Sequence, residues 1–205
     1  MINTIIFDLG GVLIDWNPRY LYTRIFEDEE AMDHFLNHVC TPDWNEEQDA
    51  GRSLTEATRI LIDAHPDKKE NIAAFYDRWE EMLGGAIHGT VDVFSDLKKN
   101  DALKIYALTN WSAETFPVAL DRYEFLHWFD GIVVSGTEKM RKPAAAFYEL
   151  LLTRYDVQAT NALFIDDNLR NIHAAAAVGF QVIHFVSPEQ LKQDLQQLGL
   201  LPGNS

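Results

Sequence analysis

Short runs of apolar residues alternate along this chain with longer stretches in which apolar residues recur at helical spacing. Five of the short runs are rich in Ile, Val, Leu, Phe or Tyr and end at polar or glycine-containing turns; they cover residues 4–7, 104–108, 131–134, 162–165 and 181–186. Runs of this kind are typical of buried parallel strands, and the stretches between them are typical of amphipathic helices. The alternation predicts an α/β protein with a doubly wound, Rossmann-like parallel sheet.

Proline and glycine mark the ends of two predicted helices. A helix is predicted to start at Pro143, because proline suits the first helical position and the apolar pattern continues to Leu151. A second helix is predicted from Asn171 to Val178, with Gly179 as its C-terminal stop.

A long insertion interrupts the alternation after the first strand. Residues 8–103 separate the first two predicted strands, which is too much chain for one crossover helix. Three apolar stripes at helical spacing fall in this region: Tyr20, Leu21, Ile25 and Phe26; Leu54, Ala57, Ile60 and Leu61; Phe75, Trp79, Met82 and Leu83. We therefore expect a helical cap domain over residues 17–85, inserted into an α/β core domain made of residues 1–16 and 86–205.

The composition is that of a folded, acidic protein. Hydrophobic residues make up 47% of the 205 residues and charged residues 24%, which is ordinary for a globular chain. The 17 Lys and Arg residues face 32 Asp and Glu residues, and the resulting net charge of −15 disfavours a nucleic acid as partner. Cys40 is the only cysteine and no apolar run is long enough to span a membrane, so we expect a cytoplasmic protein without membrane contact.

Polar residues of catalytic types follow three of the predicted strands. Asp8 ends the first strand, Thr109 and Asn110 end the second, and Asp166 and Asp167 end the fourth. Open α/β sheets bind their ligands at the carboxyl ends of the strands. A sheet order of 3-2-1-4-5 would place the first strand between the second and the fourth, and these side chains would then converge on one crevice.

Four short motifs, in this order along the chain, resemble those of the haloacid dehalogenase (HAD) superfamily. Phe-Asp-Leu-Gly-Gly-Val-Leu at 7–13 is similar to the first motif, Leu-Thr-Asn at 108–110 to the second, Arg-Lys-Pro at 141–143 to the third, and Phe-Ile-Asp-Asp-Asn at 164–168 to the fourth. A single motif has a high false-positive risk, but four in register make chance agreement improbable. The insertion stands where C1-capped members of the family carry their cap.

The resemblance implies a Mg²⁺-dependent phosphatase acting on a small phosphorylated metabolite. Asp8 would attack phosphorus and form a phospho-aspartyl intermediate that water then hydrolyses. Lys142 would stabilise charge on the transferring phosphoryl group, while the Thr109 hydroxyl and the backbone N–H of Asn110 would hold phosphate oxygens.

The resemblance also implies a set of oxygen ligands, which suit Mg²⁺: the Asp8 carboxylate, the carbonyl of Gly10 and an aspartate of the fourth motif. Asn171 aligns with a later acidic position of the family, and counting back from it favours Asp167 as the direct ligand. Asp166 would then be an indirect or water-mediated partner, although the reverse assignment stays open.

Residue 10 departs from the family pattern, in which a second aspartate usually acts as general acid and base. Such proton transfer is worth about 10²–10⁴-fold in rate, and this chain has Gly10 in that place. A cap residue or water supplies the proton, or the substrate has a good leaving group, or the protein is slow or inactive. A bacterial subgroup that resembles glucose-1-phosphate phosphatase has the same Asp-Leu-Gly start, which favours a sugar phosphate as substrate.

Four residues are candidate determinants of substrate specificity. Trp44 and Arg52 belong to a polar stretch, residues 43–52, that resembles in position the substrate-selecting loop of a C1 cap. The favoured alternative is that Trp44 packs between cap helices and that Arg52 is solvated. Trp16 and Trp111 would border the entrance of the cleft.

Two other functions stay open for a chain that we expect to be a monomer or a homodimer. A haloacid dehalogenase would use its aspartate on carbon without Mg²⁺, and the pair Asp166-Asp167 argues against it. A catalytically silent HAD-like binding protein would account for Gly10, but the presence of Asp8, Lys142 and Asp167 together argues against it.

Overall fold

Strands and helices alternate over residues 1–203, the part of the chain that the computed structural model describes; residues 204 and 205 of the predicted core segment lie outside it. The strands are β1 (Thr4–Phe7), β2 (Ile14–Trp16), β3 (Leu83–Ala86), β4 (Lys104–Thr109), β5 (Gly131–Val134), β6 (Ala162–Asp166) and β7 (Gln181–His184). The α-helices are α1 (Arg19–Tyr22), α2 (Glu29–His38), α3 (Pro42–Asp49), α4 (Leu54–Ala64), α5 (Lys69–Asp77), α6 (His88–Leu97), α7 (Phe116–Arg122), α8 (Ser135–Glu138), α9 (Ala145–Arg154), α10 (Leu169–Val178) and α11 (Pro188–Gln197). Short 3-10 helices cover Pro66–Lys68, Trp79–Met82, Glu124–Trp128 and Ala159–Asn161.

Five parallel strands form the central sheet in the order β5-β4-β1-β6-β7. These are the five strands predicted from the sequence, and their order confirms the predicted 3-2-1-4-5. β1 lies in the middle, where Thr4 is opposite Lys104 on one side and Ala162 on the other. The doubly wound α/β fold is thereby confirmed.

The two faces of the sheet belong to two hydrophobic cores, because successive side chains of a strand point to opposite faces. Ile5 and Phe7 of β1 pack in the larger core, together with Phe94 of α6. Ile6 packs in the smaller core against residues that include Phe147 of α9. All of β1 is buried, as expected for a central strand covered on both faces.

The chain between β2 and β3 is mostly helical, and we call residues 17–82 the helical insertion. β2 and β3 pair antiparallel at its base, with Ile14 opposite Ala86. Three of its helices begin at a side chain that accepts a hydrogen bond from the first turn: Asp28 before α2, Thr41 before α3 and Ser53 before α4. The division into a cap domain and a core domain stays a prediction.

Gly179 ends α10 in the left-handed conformation, with φ of 110°, which confirms the predicted stop. The predicted start at Pro143 is wrong, because Ala144 is extended at φ −63° and ψ 125° and α9 begins only at Ala145. The third apolar stripe is not one helix either: α5 ends at Asp77, and Leu83 belongs to β3 because it pairs with Trp16.

None of the helices in the described residues combines the length and the apolar character that a membrane crossing requires.

Candidate active site

The carboxyl ends of β1, β4 and β6 open into one cleft between the central sheet and the helical insertion. Two adjoining cavities of about 260 Å³ and 430 Å³ form this cleft. Residues from both parts of the chain line both cavities: Asp8, Asn110 and Asp167 from the strand ends, and Asn45 and Asp49 from α3. The crevice at this edge of the sheet therefore has one wall that comes from the insertion.

Lys142 is fully buried between two of the aspartates. Its Nζ lies 2.9 Å from Oδ1 of Asp8 and 2.7 Å from Oδ2 of Asp166. The backbone N–H of Leu9 also donates to Oδ1 of Asp8, at 2.7 Å. Since breaking a buried ion pair leaves a charge without a partner, each member of this group depends on the others.

The charges in this cluster do not balance. Burial raises the pKa of Asp8 to about 8; Lys142 opposes the rise, while Asp166 and Asp167 add to it. Burial also raises the pKa of Asp167, and repulsion by Asp166 contributes. Burial lowers the pKa of Lys142, but Asp166 and Asp8 outweigh it, so that this pKa lies above its ordinary value. One ammonium group faces three carboxyl groups, and a cation would relieve the excess negative charge.

Asp8, Asp166 and Asp167 each offer a carboxylate oxygen, and these three oxygens lie within 4.8 Å of one another. Asp166 is already engaged: besides Lys142, it accepts from the N–H of Asn168 at 2.8 Å and from Nδ2 of Asn171 at 3.1 Å. Within residues 1–203, no other residue donates a hydrogen bond to the carboxylate of Asp167 or to the carbonyl of Gly10. Oδ2 of Asp8, the carboxylate of Asp167 and the Gly10 carbonyl thus accept no hydrogen bond from another described residue, and this oxygen set fits a hard divalent cation.

Gly11 lets the loop after β1 come close to Asp167. Its φ of 75° lies in the left-handed region, and a Cβ atom there would stand 2.3 Å from Oδ2 of Asp167. Any side chain at this position would displace one of the three carboxylates.

The end of β4 contributes a hydroxyl group and an amide. The Oγ1 atom of Thr109 is buried and has no hydrogen-bond partner among the described residues, although Thr109 lines neither cavity. The side chain of Asn110 is used differently: Nδ2 donates to the carbonyl of Lys142 at 3.0 Å, and Oδ1 accepts from the N–H of Lys142 at 2.9 Å. This paired contact fixes the backbone that carries the lysine.

Two of the four candidate specificity residues lie in the cleft. Trp16 lines both cavities, and Trp111 lines the smaller one, where its ring lies 5.8 Å from that of Trp79. Trp44 lines neither cavity and packs its ring against Phe75 at 5.2 Å. Arg52 donates to the Trp44 carbonyl at 3.0 Å and also lies outside both cavities. Trp16 and Trp111 thus line the cleft, whereas Trp44 and Arg52 lie outside it.

Three side chains that shape the site had no role in the prediction from the sequence. The Asn171 amide donates to both oxygens of Asp166, and the Asn110 amide holds Lys142. Asp49 stands in the wall of the cleft within the stretch 43–52, in which only Trp44 and Arg52 were singled out. The spacing of Asn45 and Asp49, four residues apart on one helix, was the available signal, because such residues share a face.

Comparison with known proteins places the chain in a family. The family model for haloacid dehalogenase-like hydrolases matches residues 2–179. The sesquiterpene phosphatase astK of Aspergillus oryzae is 28% identical over 195 residues, which cover 94% of each protein. The chain is therefore a hydrolase, and it belongs to the haloacid dehalogenase-like hydrolases.

Two solved structures share the fold. One is a HAD family enzyme of Bacteroides thetaiotaomicron in complex with magnesium and inorganic phosphate, with a TM-score of 0.66 and 16% identity over 91% of this chain and 96% of that one. The other is the L-2-haloacid dehalogenase of Xanthobacter autotrophicus with chloropropionic acid covalently bound, with a TM-score of 0.64 and 17% identity over 98% of this chain and 85% of that one.

Proposed function

We propose that this protein is a Mg²⁺-dependent phosphatase that acts on a small phosphorylated metabolite through a phospho-aspartyl intermediate on Asp8. The observation that carries the proposal is the contact of Asp8 with the buried Lys142, at 2.9 Å, inside a cluster of three carboxylates. A nucleophile, a cationic group and oxygen ligands for a metal thus stand at one point of the cleft. The similarity to a sesquiterpene phosphatase supports the same class of reaction.

The residues of this chain divide the chemistry among them. Asp8 attacks phosphorus, and the bond from phosphorus to the ester oxygen breaks. Lys142 lies beside the attacking carboxylate and offsets the negative charge of the phosphoryl group. Thr109 Oγ1 and the backbone N–H of Asn110 donate to phosphate oxygens. The two hydrogen bonds between the Asn110 side chain and the Lys142 backbone hold together the loops that carry these residues.

Asp8, Asp167 and the carbonyl of Gly10 would hold Mg²⁺. When bound there, the ion supplies positive charge that lets an anionic nucleophile approach a phosphate dianion. Asp166 does not ligate directly in this proposal, because Lys142 and Asn171 already engage its oxygens. Its part is to keep Lys142 charged and in place.

The helical insertion would act as the cap that selects the substrate. The smaller cavity has an aromatic wall of Trp16, Tyr76, Trp79 and Trp111. Such a wall can stack on a sugar ring or enclose an apolar chain. We retain a sugar phosphate as the first choice and set against it a terpenoid monophosphate, because the phosphatase astK is named for sesquiterpenes. The cytoplasmic location, the absence of nucleic acid partners and the monomeric or dimeric state remain predictions.

Hydrolysis of p-nitrophenyl phosphate with and without Mg²⁺, using wild-type protein and Asp8→Asn, tests the proposal. We expect turnover that requires the metal and that the substitution abolishes, because an amide cannot serve as the nucleophile. A panel of sugar phosphates and prenyl monophosphates then ranks substrates by kcat/KM.

Two results would contradict the phosphatase. Release of halide from a 2-haloacid without Mg²⁺ would favour the dehalogenase. Absence of turnover on every phosphate, in a protein that still binds Mg²⁺, would favour a catalytically silent protein.

A further inference from the structure

We propose that Asp49 of the helical insertion is the general acid and base of this site. The inference rests on the proposed phosphatase function and deepens it. It assigns to the insertion a catalytic side chain in addition to its part as a wall of the cleft.

Asp49 borders the same cleft as the proposed nucleophile Asp8. Asp49 is the last residue of α3 and lines both cavities together with Asp8 and Asn110. The backbone of Ser112, two residues beyond Asn110, lies close enough to its carboxyl group to lower the pKa of Asp49. Asp49 and the loop that would hold the phosphate oxygens thus line the same cavity.

Gly10 leaves room for a proton donor from elsewhere. A Cβ atom on Gly10 would meet no other heavy atom within 4 Å, so the space beside Asp8 is open. The cleft thus lacks a carboxyl group on the β1 loop and has one on the opposite wall. These two features together indicate that the carboxyl group for proton transfer comes from the helical insertion and not from the loop after β1.

The surroundings of Asp49 hold its proton near neutral pH. Burial raises the pKa of Asp49 to about 7, and Glu46 on the same helix adds to the rise. Arg141, the Ser112 backbone and Lys142 oppose it without reversing it. A group with a pKa close to the working pH is well suited both to give a proton and to take one.

Asp49 has no ion-pair partner within residues 1–203. The nearby Arg141 pairs with Glu46 and Glu47 instead. The Tyr76 hydroxyl, which also faces Asp49, is fixed by Asn45 and Gln48. The carboxyl group is therefore left free for proton transfer.

A structural role does not account for an aspartate at this position. The C-terminal end of a helix disfavours a negative charge, and an unpaired carboxylate in a partly buried wall costs stability. Asparagine, which has nearly the same shape and no charge, would occupy this position without either cost. The acidic group is thus present in spite of its effect on folding, as is common for groups retained for chemistry.

The two half-reactions balance with one proton on Asp49. In the first, Asp8 forms a bond to phosphorus, the bond to the ester oxygen breaks, and the Asp49 carboxylic acid gives its proton to that oxygen, releasing the alcohol. In the second, the Asp49 carboxylate takes a proton from water as the water oxygen attacks phosphorus. The acyl phosphate bond breaks, which returns free Asp8, inorganic phosphate and protonated Asp49.

Asp49→Asn tests the role on two substrates in the presence of Mg²⁺. On glycerol 2-phosphate, whose leaving group needs a proton, we expect kcat to fall about 10²-fold or more. On p-nitrophenyl phosphate we expect a burst of one p-nitrophenolate per enzyme followed by slow turnover, because the leaving group needs no acid but hydrolysis of the intermediate lacks its base. Loss of wild-type activity above about pH 7, where Asp49 would be deprotonated, should be absent from the variant.

Asp43→Asn is the matched control, because Asp43 lies on the same helix, is exposed and lines neither cavity. It should keep wild-type rates. In the Asp49→Asn background, Gly10→Asp should raise kcat on glycerol 2-phosphate at least tenfold. If Asp49→Asn acted only by disturbing the packing, the second substitution would not raise kcat.

The proposal is overturned if Asp49→Asn keeps both rates within about threefold of wild type. It is also overturned if both rates fall equally, without a burst and with an unchanged pH profile. Wild-type protein that hydrolyses neither phosphate would instead overturn the phosphatase function itself, and the role of Asp49 with it.

Discussion

At the scale of single residues, the site is defined by charged groups whose ionisation depends on their neighbours. Lys142 stays charged because Asp166 and Asp8 outweigh the effect of burial on its pKa. At Asp49 the opposing effect of Arg141 and Lys142 is only partial, and burial dominates its pKa. The same cleft therefore holds one group fixed in its charged form and one group poised to change its charge, which is the division that acid–base catalysis requires.

The raised pKa of Asp49 predicts how folding stability depends on pH. Its folded value of about 7 exceeds the value near 4 expected in an unfolded chain. The proton held by the folded protein therefore stabilises it below about pH 4, and this contribution is lost as the pH rises through about 7. Asparagine does not ionise and avoids the loss.

We expect Asp49→Asn to match wild type near pH 4 and to be more stable at pH 8, by ~1–2 kcal/mol after allowance for solvent near the group. Urea unfolding of both proteins across this pH range, without metal, measures the difference. A difference that stays constant with pH, or a wild-type protein that is the more stable one at pH 8, would show that the Asp49 carboxyl group is not buried as described.

At the scale of secondary-structure elements, α3 is the part of the insertion that is tied to the core. Glu46 accepts from Arg170 at the start of α10 at 2.8 Å, and also from Arg141 in the loop before α9. Asn45 and Asp49 lie on the same helix and reach into the cleft. The position of the proposed acid therefore depends on ion pairs that join α3 to α10 and to the loop that carries Lys142.

Glu46→Gln should loosen α3 without unfolding the protein. The three acidic–basic contacts of Glu46 and Glu47 are partly exposed, so we expect a change in global stability below about 1 kcal/mol. Hydrogen–deuterium exchange should be faster at the amides of α3, and KM should rise several-fold. Glu30→Gln on α2, an exposed residue that forms no ion pair among the described residues, should change neither. Unchanged exchange in α3 would show that these ion pairs do not hold the insertion in place.

Some secondary-structure elements could be predicted from the sequence, and others could not. The five strands of the sheet and their order were predictable, because buried parallel strands carry continuous apolar runs and because the motifs must meet at one edge. The elements around Trp79 and Leu83 were not, because the pairing of Leu83 with Trp16 in a small second sheet overrides a helical pattern. The hydrogen bonds between Asn110 and Lys142 join residues 32 positions apart, and no local sequence pattern indicates such a contact.

At the scale of the whole molecule, the net charge of −15 and the acidic cluster in the cleft both destabilise the folded state. Repulsion among like charges weakens the compact state, and salt screens it at the surface far more than in a buried site. A divalent cation that binds the folded cleft and not the unfolded chain would stabilise the protein by mass action. The two effects can be separated because only the second needs the particular carboxylates Asp8 and Asp167.

We therefore expect Mg²⁺ to raise the melting temperature of wild-type protein by several degrees more than NaCl at equal ionic strength. A ligand present at about 100 times its Kd stabilises by about 2.7 kcal/mol, and about 1 kcal/mol corresponds to roughly 2–4 °C in a chain of this size. Asp167→Asn should respond to NaCl as wild type does but should lose the additional rise in melting temperature caused by Mg²⁺. Asp43→Asn should keep both responses. Since Asp166 is held by Lys142 and Asn171, Asp166→Asn should lower the melting temperature without metal as well. If Asp167→Asn kept the full additional rise, Mg²⁺ would bind elsewhere, and the oxygen set proposed for it would be wrong.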